Sequence, residues 1–349
     1  MRIASNMVTQ KYNRQLTSLE SDLNDSTTKV SSGKAITNFS DNTSAAVKAY
    51  KIRSDLNKVD SYQANISHAD TSLTDSESAL NNMEDVYQYA MEKIVEGQNA
   101  TQSSEERDII ATELRSLQDE LLKTLNTNAS GTYLFGGTNS ETEPFTIDST
   151  TGKLTYNGYV LDDLDPTDLD PTHTNGKAAI DSLSADSRYL DIGLNIQFDS
   201  FNSLVKSSAF AYTIQGIDIA GYGTSTVTVD GTDITVSNNL YDLLGQIATA
   251  FESDDYSYNK VDALYSQFQV SSGGITQSIT NVGSKQNYLD FMTDRYETQE
   301  LNLEDKQSEI EDVDMGDAII QYKTDEVAYN AALQLGANVI QTSIFDYMS

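Results

Sequence analysis

Cysteine and tryptophan are absent from this chain, only three prolines and two histidines occur, and 22 basic residues stand against 53 acidic ones. Without cysteine there is no disulfide framework, no thiolate zinc site and no cysteine nucleophile. The formal net charge of -31 repels phosphate backbones and anionic lipid, so nucleic acid is not expected as a partner and neither is a membrane surface. Long hydrophobic runs are missing as well. Nowhere do about 18 apolar residues run together, and Met1 to Met7 contains no apolar signal core. Membrane insertion and a cleaved signal peptide are therefore not expected. The 349 residues have room for several domains, but 38% hydrophobic content is low. Much of the length must lie in thin helical structure, with one buried stripe and a solvated back.

What is present is a seven-residue apolar repeat. Spacing of 3-4-3-4 picks out Thr9, Tyr12, Leu16, Leu19, Leu23, Ser26 and Val30, which predicts a coiled-coil seam. Ser31-Ser32-Gly33-Lys34 breaks it at a glycine suited to a helix end, and Asn38, Asp41 and Asn42 offer caps for a new helix. A second seam runs from Ala45, Ala49, Ile52, Leu56 and Val59 through Gln63, Ile66, Asp70 and Leu73 to Ser76, Leu80, Met83, Tyr87, Ala90 and Ile94. After Gly97, Ser104-Glu105-Glu106 reads as a fresh helix start, followed by the stripe Ile110, Leu114, Leu117 and Leu121.

Between Thr132 and Ser257 the pattern changes, with all three prolines and more glycine, tyrosine and threonine. Val227 and Val229 and then Ile234 and Val236 flank Asp230-Gly231-Thr232-Asp233, a hairpin pattern; Tyr212, Ile214, Ile217 and Ile219 suggest another strand; Asn239 to Phe251 suggests a short helix. The heptad returns at Leu289, Met292, Tyr296, Gln299, Leu303, Lys306, Ile310 and Val313, and a last helix starts near Met315. The fold expected is mainly α with a β-rich insertion. Its N- and C-terminal helices form a long antiparallel coiled-coil bundle, with an α+β middle domain facing outward. The corresponding segments are 1–44 and 314–349 as terminal assembly segments, 45–131 and 258–313 as helical bundle, and 132–257 as outer domain.

No constellation for catalysis, cofactor or metal binding emerges. His68 and His173 lie in different segments and neither sits in a triad or metal-ligand spacing. The run Asp162 to Asp170 lacks the glycine and terminal glutamate of a calcium loop and reads as an exposed acidic loop. Ser31-Ser32-Gly33-Lys34 is not a phosphate loop, because Ala35 follows the lysine and no glycine precedes at the required spacing. The residues that stand out are those of the terminal seams. Tyr12, Leu16, Leu19, Leu23 and Val30 mark one helix, and Ile320, Val327, Ala331, Leu335, Val339 and Phe345 mark the last. They are the candidate assembly interface.

The opening Met1-Arg2-Ile3-Ala4-Ser5-Asn6-Met7, the Ser31-Ser32-Gly33-Lys34 turn, Tyr133-Leu134-Phe135-Gly136-Gly137-Thr138 with Pro144-Phe145, and the stretch from Ile310 to Ile344-Phe345-Asp346-Tyr347 occur in one order. In this the chain resembles the flagellar hook-associated protein 3 family, the hook-filament junction proteins of the flagellin-like group. Asp41-Asn42-Thr43 stands where that family commonly has an Asp-Asp-Pro-like turn, and Asp41 remains able to cap a helix. The resemblance implies a structural, non-enzymatic subunit, secreted uncleaved by type III flagellar export and polymerised as a ring between hook-associated protein 1 and flagellin. It further implies a cytoplasmic export chaperone at the C-terminal helix. Flagellin itself, with its similar terminal coiled coils, and an unrelated secreted coiled-coil protein are the alternatives. Polar seam positions Gln63, Asp70, Gln334, Asn338 and Gln341, with Gly336 inside the last helix, lower the stability of isolated arms. The ends are thus expected to order fully only against neighbours.

Overall fold

The computed structural model describes residues 2–38, 40, 42–99 and 103–345, with the side chains of residues 2–6 and 337–345 outside that description. Helices occupy α1 (Arg2–Ser32), α2 (Thr43–Gly97), α3 (Ser104–Leu125), α4 (Lys177–Ser184), α5 (Gly216–Ala220), α6 (Leu240–Phe251), α7 (Tyr258–Ser271), α8 (Gly273–Glu311) and α9 (Met315–Phe345). The chain divides into two compact units, one of residues 1–61 with 296–349 and one of residues 62–295.

In the first unit, α1 stops because Gly33 takes φ 68°, a left-handed conformation that costs glycine little. Asn42 caps α2, its Oδ1 accepting from Ala45 N at 3.1 Å, while Asp41 lies outside the described residues. Asp314 Oδ1 accepts from Gly316 N at 2.8 Å and so opens α9. α1 and α9 pack antiparallel. From Tyr12 onward burial on α1 follows the spacing read from the sequence, with Ser26 buried and Tyr12, Leu16, Leu19, Leu23 and Val30 half-buried, whereas Thr9, the first seam position expected, is exposed. On α9 the inward positions are Ala318, Tyr322, Asp325, Tyr329, Ala332 and Gly336.

In the second unit, α2 buries Ile66, Ala69, Leu73, Ser76, Leu80, Met83, Ala90 and Ile94. Ala69 takes the inward place expected of Asp70, since a small apolar side chain one position earlier spares a carboxylate from desolvation. The α8 stripe begins earlier than the apolar repeat suggests, at Ile275, Ser278 and Val282, and continues to Leu289 and Met292. The cap of α3 is Ser103, one residue before the expected start. Ser103 Oγ accepts from Glu106 N at 3.2 Å, and the Glu106 carboxylate accepts from Ser103 N at 2.7 Å, which forms a capping box.

The insertion contains strands, but short ones. β1 (Asn128–Ala129) pairs with β2 (Thr132–Tyr133); β3 (Phe145–Ile147), β4 (Leu154–Tyr156) and β5 (Tyr159–Val160) form an antiparallel sheet; β6 (Tyr189–Leu190) pairs with β7 (Phe210–Ala211). β8 (Thr224–Val229) and β9 (Thr232–Ser237) form the expected hairpin. Its two-residue turn places Asp230 at φ 52° and Gly231 at φ 80°, both left-handed, which matches the twist of the flanking strands. Asn239 caps α6, as its position predicts, by accepting from Asp242 N at 2.8 Å.

The strand expected through Tyr212, Ile214, Ile217 and Ile219 is instead a buried loop running into α5. Tyr156 accounts for this: its hydroxyl donates to Phe135 O at 2.9 Å and accepts from Gly216 N at 3.3 Å. A Cβ at Gly216 would overlap the rings of Phe145 and Tyr156, so the backbone itself fills this part of the core. The acidic run is corrected too, because Asp162 is buried rather than exposed. It accepts from Ser237 Oγ at 2.5 Å and Asn239 Nδ2 at 2.6 Å, and burial pushes its carboxyl and that of Asp242 above the ordinary range.

Lys285 occupies the α8 stripe between Val282 and Leu289, its Nζ donating to Thr213 O at 3.0 Å. Burial lowers its pKa to about 8 from 10.5. Below pH 8 the ammonium is charged in both states and the fold bears its desolvation. Between about pH 8 and 10.5 the unfolded chain binds more protons, so stability rises with pH. Lys285→Met should remove that rise. Chemical denaturation of both chains across this range measures it, and parallel pH profiles would contradict the assignment.

Candidate assembly interface

The first unit is fastened where the α1–α2 loop meets the α8–α9 turn. Lys34 and Asp312 form an antiparallel bridge, with Ala35 N donating to Glu311 O at 2.6 Å and Val313 N donating to Gly33 O at 3.0 Å. Glu311 is 3% exposed and its carboxylate is fully engaged. Arg53 on α2 approaches as a fork, Nε to Oε1 and Nη2 to Oε2, both at 2.7 Å, and Gln307 Nε2 adds a third donor at 3.2 Å. Lys34 Nζ lies 2.6 Å from Asp312 and 3.6 Å from Glu311. The Arg53 hydrogen bonds are the largest cause holding Glu311 below the usual carboxylate range.

From this clasp α1 and α9 run side by side. Tyr12 donates its hydroxyl to Ala332 O at 3.0 Å, and its ring lies against buried Gly336, where a Cβ would overlap the phenol. The glycine expected to weaken the helix is thus the notch that lets an aromatic side chain reach the backbone.

The structure brings some of the candidate residues together and separates others. Tyr12, Leu16 and Leu19 border a groove of about 460 Å³ with Ala331 and Leu335, while Leu23 and Val30 continue the α1 seam. Ile320 borders a second groove of about 800 Å³, shared with Asp22, Asp25, Asp317 and Asp325. Val327 does not face α1. It is 67% exposed, and Ile320 and Leu335 are 66% and 63% exposed, so this stripe of α9 points outward. Val339 and Phe345 belong to α9, with side chains outside the described residues. Asp325, which by sequence flanks the stripe as a polar position, is buried on the inward face and accepts from Gln321 Nε2 at 2.9 Å.

Sequence reasoning missed Glu311 and Arg53, whose partnership spans 258 residues and leaves no local signal. Among the described residues no helix is long and apolar enough to cross a membrane, and no group of three His, Asp or Glu could hold a metal ion.

Glu311→Gln should cost about 1–3 kcal/mol, the range for hydrogen bonds to a charged group, discounted because Arg53 is largely exposed. Glu311 has a depressed folded pKa, so its contribution is full above about the ordinary 4.5 and is lost as pH falls through the lower folded value. Acid titration of stability should therefore be shallower in the variant; equal slopes would refute this role. Gly336→Ala should weaken α1–α9 pairing by about 1–3 kcal/mol through overpacking, despite the higher helix propensity of alanine. Because the hydroxyl makes the nearest approach, the loss should shrink in a Tyr12→Phe background, and a double-mutant cycle by thermal unfolding reads that coupling.

The sequence matches the family model of the bacterial flagellin N-terminal helical region over residues 3–140 and that of the bacterial flagellin C-terminal helical region over residues 271–348. Flagellar hook-associated protein 3 of Escherichia coli strain K12 is 32% identical over 146 residues, 42% of this chain and 46% of that protein. The Salmonella typhimurium strain LT2 protein of the same name is 31% identical over 153 residues, 44% and 48% of the two chains. The chain spans about half the length of the curated relatives it matches. In fold it is similar to the solved structure of a flagellar hook-associated protein from Vibrio parahaemolyticus, with a TM-score of 0.59 at 17% identity over 78% of this chain and 100% of that one. It is also similar to flagellar hook-associated protein 3 from Legionella pneumophila, with a TM-score of 0.51 at 15% identity over 75% and 98%. Both family matches fall on the helical arms, and together they span more than half of the sequence. The chain therefore belongs to the flagellin-like family, with flagellar hook-associated protein 3 among its relatives.

Proposed function

We propose that this chain is a structural subunit of the bacterial flagellum that forms the junction between hook and filament, folding and polymerising through its terminal helices. The observation that carries the reading is the α1–α9 pair. It joins the two arms matched by the flagellin models, yet it leaves Ile320, Val327 and Leu335 more than half exposed. Two helices bury one seam between them and cannot cover the outer stripe of either, so further helices complete the core. In this reading the neighbours are hook-associated protein 1 on one side, flagellin on the other and copies of the same chain within a ring.

Before assembly the stripe needs cover in an acidic, exported chain, because an exposed apolar face invites association. We assign that cover to a cytoplasmic export chaperone that receives α9 as an amphipathic helix in a groove. Export by the type III flagellar route then delivers the chain to the outside of the cell. The chain acts here through surfaces rather than as an enzyme.

Two experiments test the reading. Deleting the gene should give hooks without filaments and flagellin lost to the medium, whereas normal filaments on electron micrographs would exclude a junction role. Val327→Asp and Leu335→Asp each place a charge on the apolar stripe, at a cost of about 2–5 kcal/mol when it is buried against a partner. Both should weaken chaperone binding, measured by calorimetry, together with motility. Asn330→Asp, at an exposed polar position, should change neither. Normal binding and swimming by both stripe variants would rule out dual use of α9.

A further inference from the structure

Beside its buried stripe, α2 carries a polar one. Ser67, His68, Thr71, Ser72 and Asp75 recur at helical spacing and border a groove of about 500 Å³ within the second unit. The β1–β2 hairpin adds Ser130 and Thr132 to this groove, and the residue just before β6 adds a cation, Arg188. The backbone fixes Arg188 on both sides, its N donating to Thr213 Oγ1 at 3.0 Å and its O accepting from Tyr212 N at 3.2 Å. Its guanidinium carbon lies 5.3 Å from the centre of the buried Tyr212 ring, against which the His68 ring packs at 5.6 Å and 81°. A ring face offsets part of the charge but supplies none of the in-plane acceptors that five N–H donors call for. Arg188 Nε is buried without a hydrogen-bond partner, and among the described residues no carboxylate pairs with this side chain. The hydroxyls of Ser67, Ser72, Ser130 and Thr132 likewise bond to no other group among the described residues.

In a chain with 53 acidic residues, a guanidinium without a carboxylate is the exception that calls for an outside partner. The arginine fork fits a carboxylate through two parallel hydrogen bonds. A nucleotide or a phosphate chain fits less well, because one arginine cannot offset several charges against the field of a net -31. Asp75 stands about 10 Å along α2 from His68. It repels a second carboxylate there but accepts hydrogen bonds from hydroxyls. The apolar lining is small, limited to Ala64, Ala129 and Leu134 beside the occupied Tyr212 ring, so it offers little anchorage for an apolar side chain. We infer that this groove binds an acidic saccharide, a sugar ring bearing one carboxylate. The carboxylate takes the Arg188 fork, the ring hydroxyls exchange hydrogen bonds with Ser67, Ser72, Ser130 and Thr132, and Asp75 accepts from a hydroxyl at the far end. The volume lies within the range of small-molecule sites. Because the cation is held by backbone bonds and a buried ring, the site needs little ordering when the sugar arrives. The assignment uses no residue of α1 or α9 and stands apart from the junction role.

The test uses the full chain, with sodium glucuronate as the probe and glucose and sodium acetate as comparisons, each titrated by saturation-transfer NMR. Glucuronate should bind saturably. Glucose and acetate each keep half of the chemistry and should bind about tenfold more weakly or worse. Arg188→Gln should weaken glucuronate by about tenfold or more, through loss of the charge-assisted fork. Ser67→Glu should do the same by placing a carboxylate in the groove; it changes an exposed helical position, leaves Arg188 and its packing in place, and decides the matter even where Arg188→Gln fails to fold. Asp75→Ala should weaken glucuronate while leaving acetate no weaker. Absence of saturable glucuronate binding overturns the proposal, as does undiminished binding by Ser67→Glu. Acetate affinity equal to that of glucuronate would mark an adventitious ion only, and equal glucose affinity would remove Arg188 from the site; either result overturns it as well.

Discussion

The first unit depends on a buried carboxylate that must never lose its partner. Glu311 sits at the end of α8, nearly free of solvent, and the guanidinium fork of Arg53, the amide of Gln307 and the nearby Lys34 ammonium make its charge tolerable there. The same short segment supplies the backbone bridge between Gly33–Ala35 and Glu311–Val313. Two chain crossings far apart in sequence are thereby fixed at one point, and the direction in which α1 and α9 leave that point is set. A pair of apolar residues could hold the crossing as tightly. It could not impose the bidentate geometry that orients α2 against the turn.

Beyond the clasp, α1 and α9 associate with little apolar burial among the described side chains. The α1 seam is half-buried, a hydrogen bond from Tyr12 to the Ala332 carbonyl replaces a larger side-chain contact, and Asp325 occupies an inward position that a leucine could fill. Such a pair is weak by construction. In the proposed role, export followed by assembly is served by ends that gain most of their stability from neighbours. The outward stripe on α9 is the surface left for that purpose in this reading.

The second unit follows the opposite logic. Its helices bury continuous stripes, and its short strands are held less by sheet than by polar anchors, with Tyr156 between Phe135 and Gly216 and Asp162 beneath Ser237 and Asn239. Two-residue strands supply few ladder bonds, so satisfied buried polar groups take over the task of fixing loop paths.

By itself the sequence determined the long helices of the arms, several of their ends and much of their inward faces. Gly33 ends α1, Asn239 caps α6, Asp230-Gly231 turns the hairpin, and most positions of the heptads through Leu16 and Leu73 face inward as spaced, because each depends on neighbours within about four residues along the chain. What only the tertiary structure decided are features whose partners lie from about sixty to more than three hundred residues away. Arg53 with Glu311, Tyr12 in the notch of Gly336 and the burial of Asp162 belong here, as does the loop in place of a strand at Tyr212 to Ile219. The outward direction of Val327 belongs here too: an apolar stripe shows that a face will be covered, but not whether the covering helix comes from the same chain. Local periodicity records how a helix is amphipathic, and only packing decides which partner takes each face.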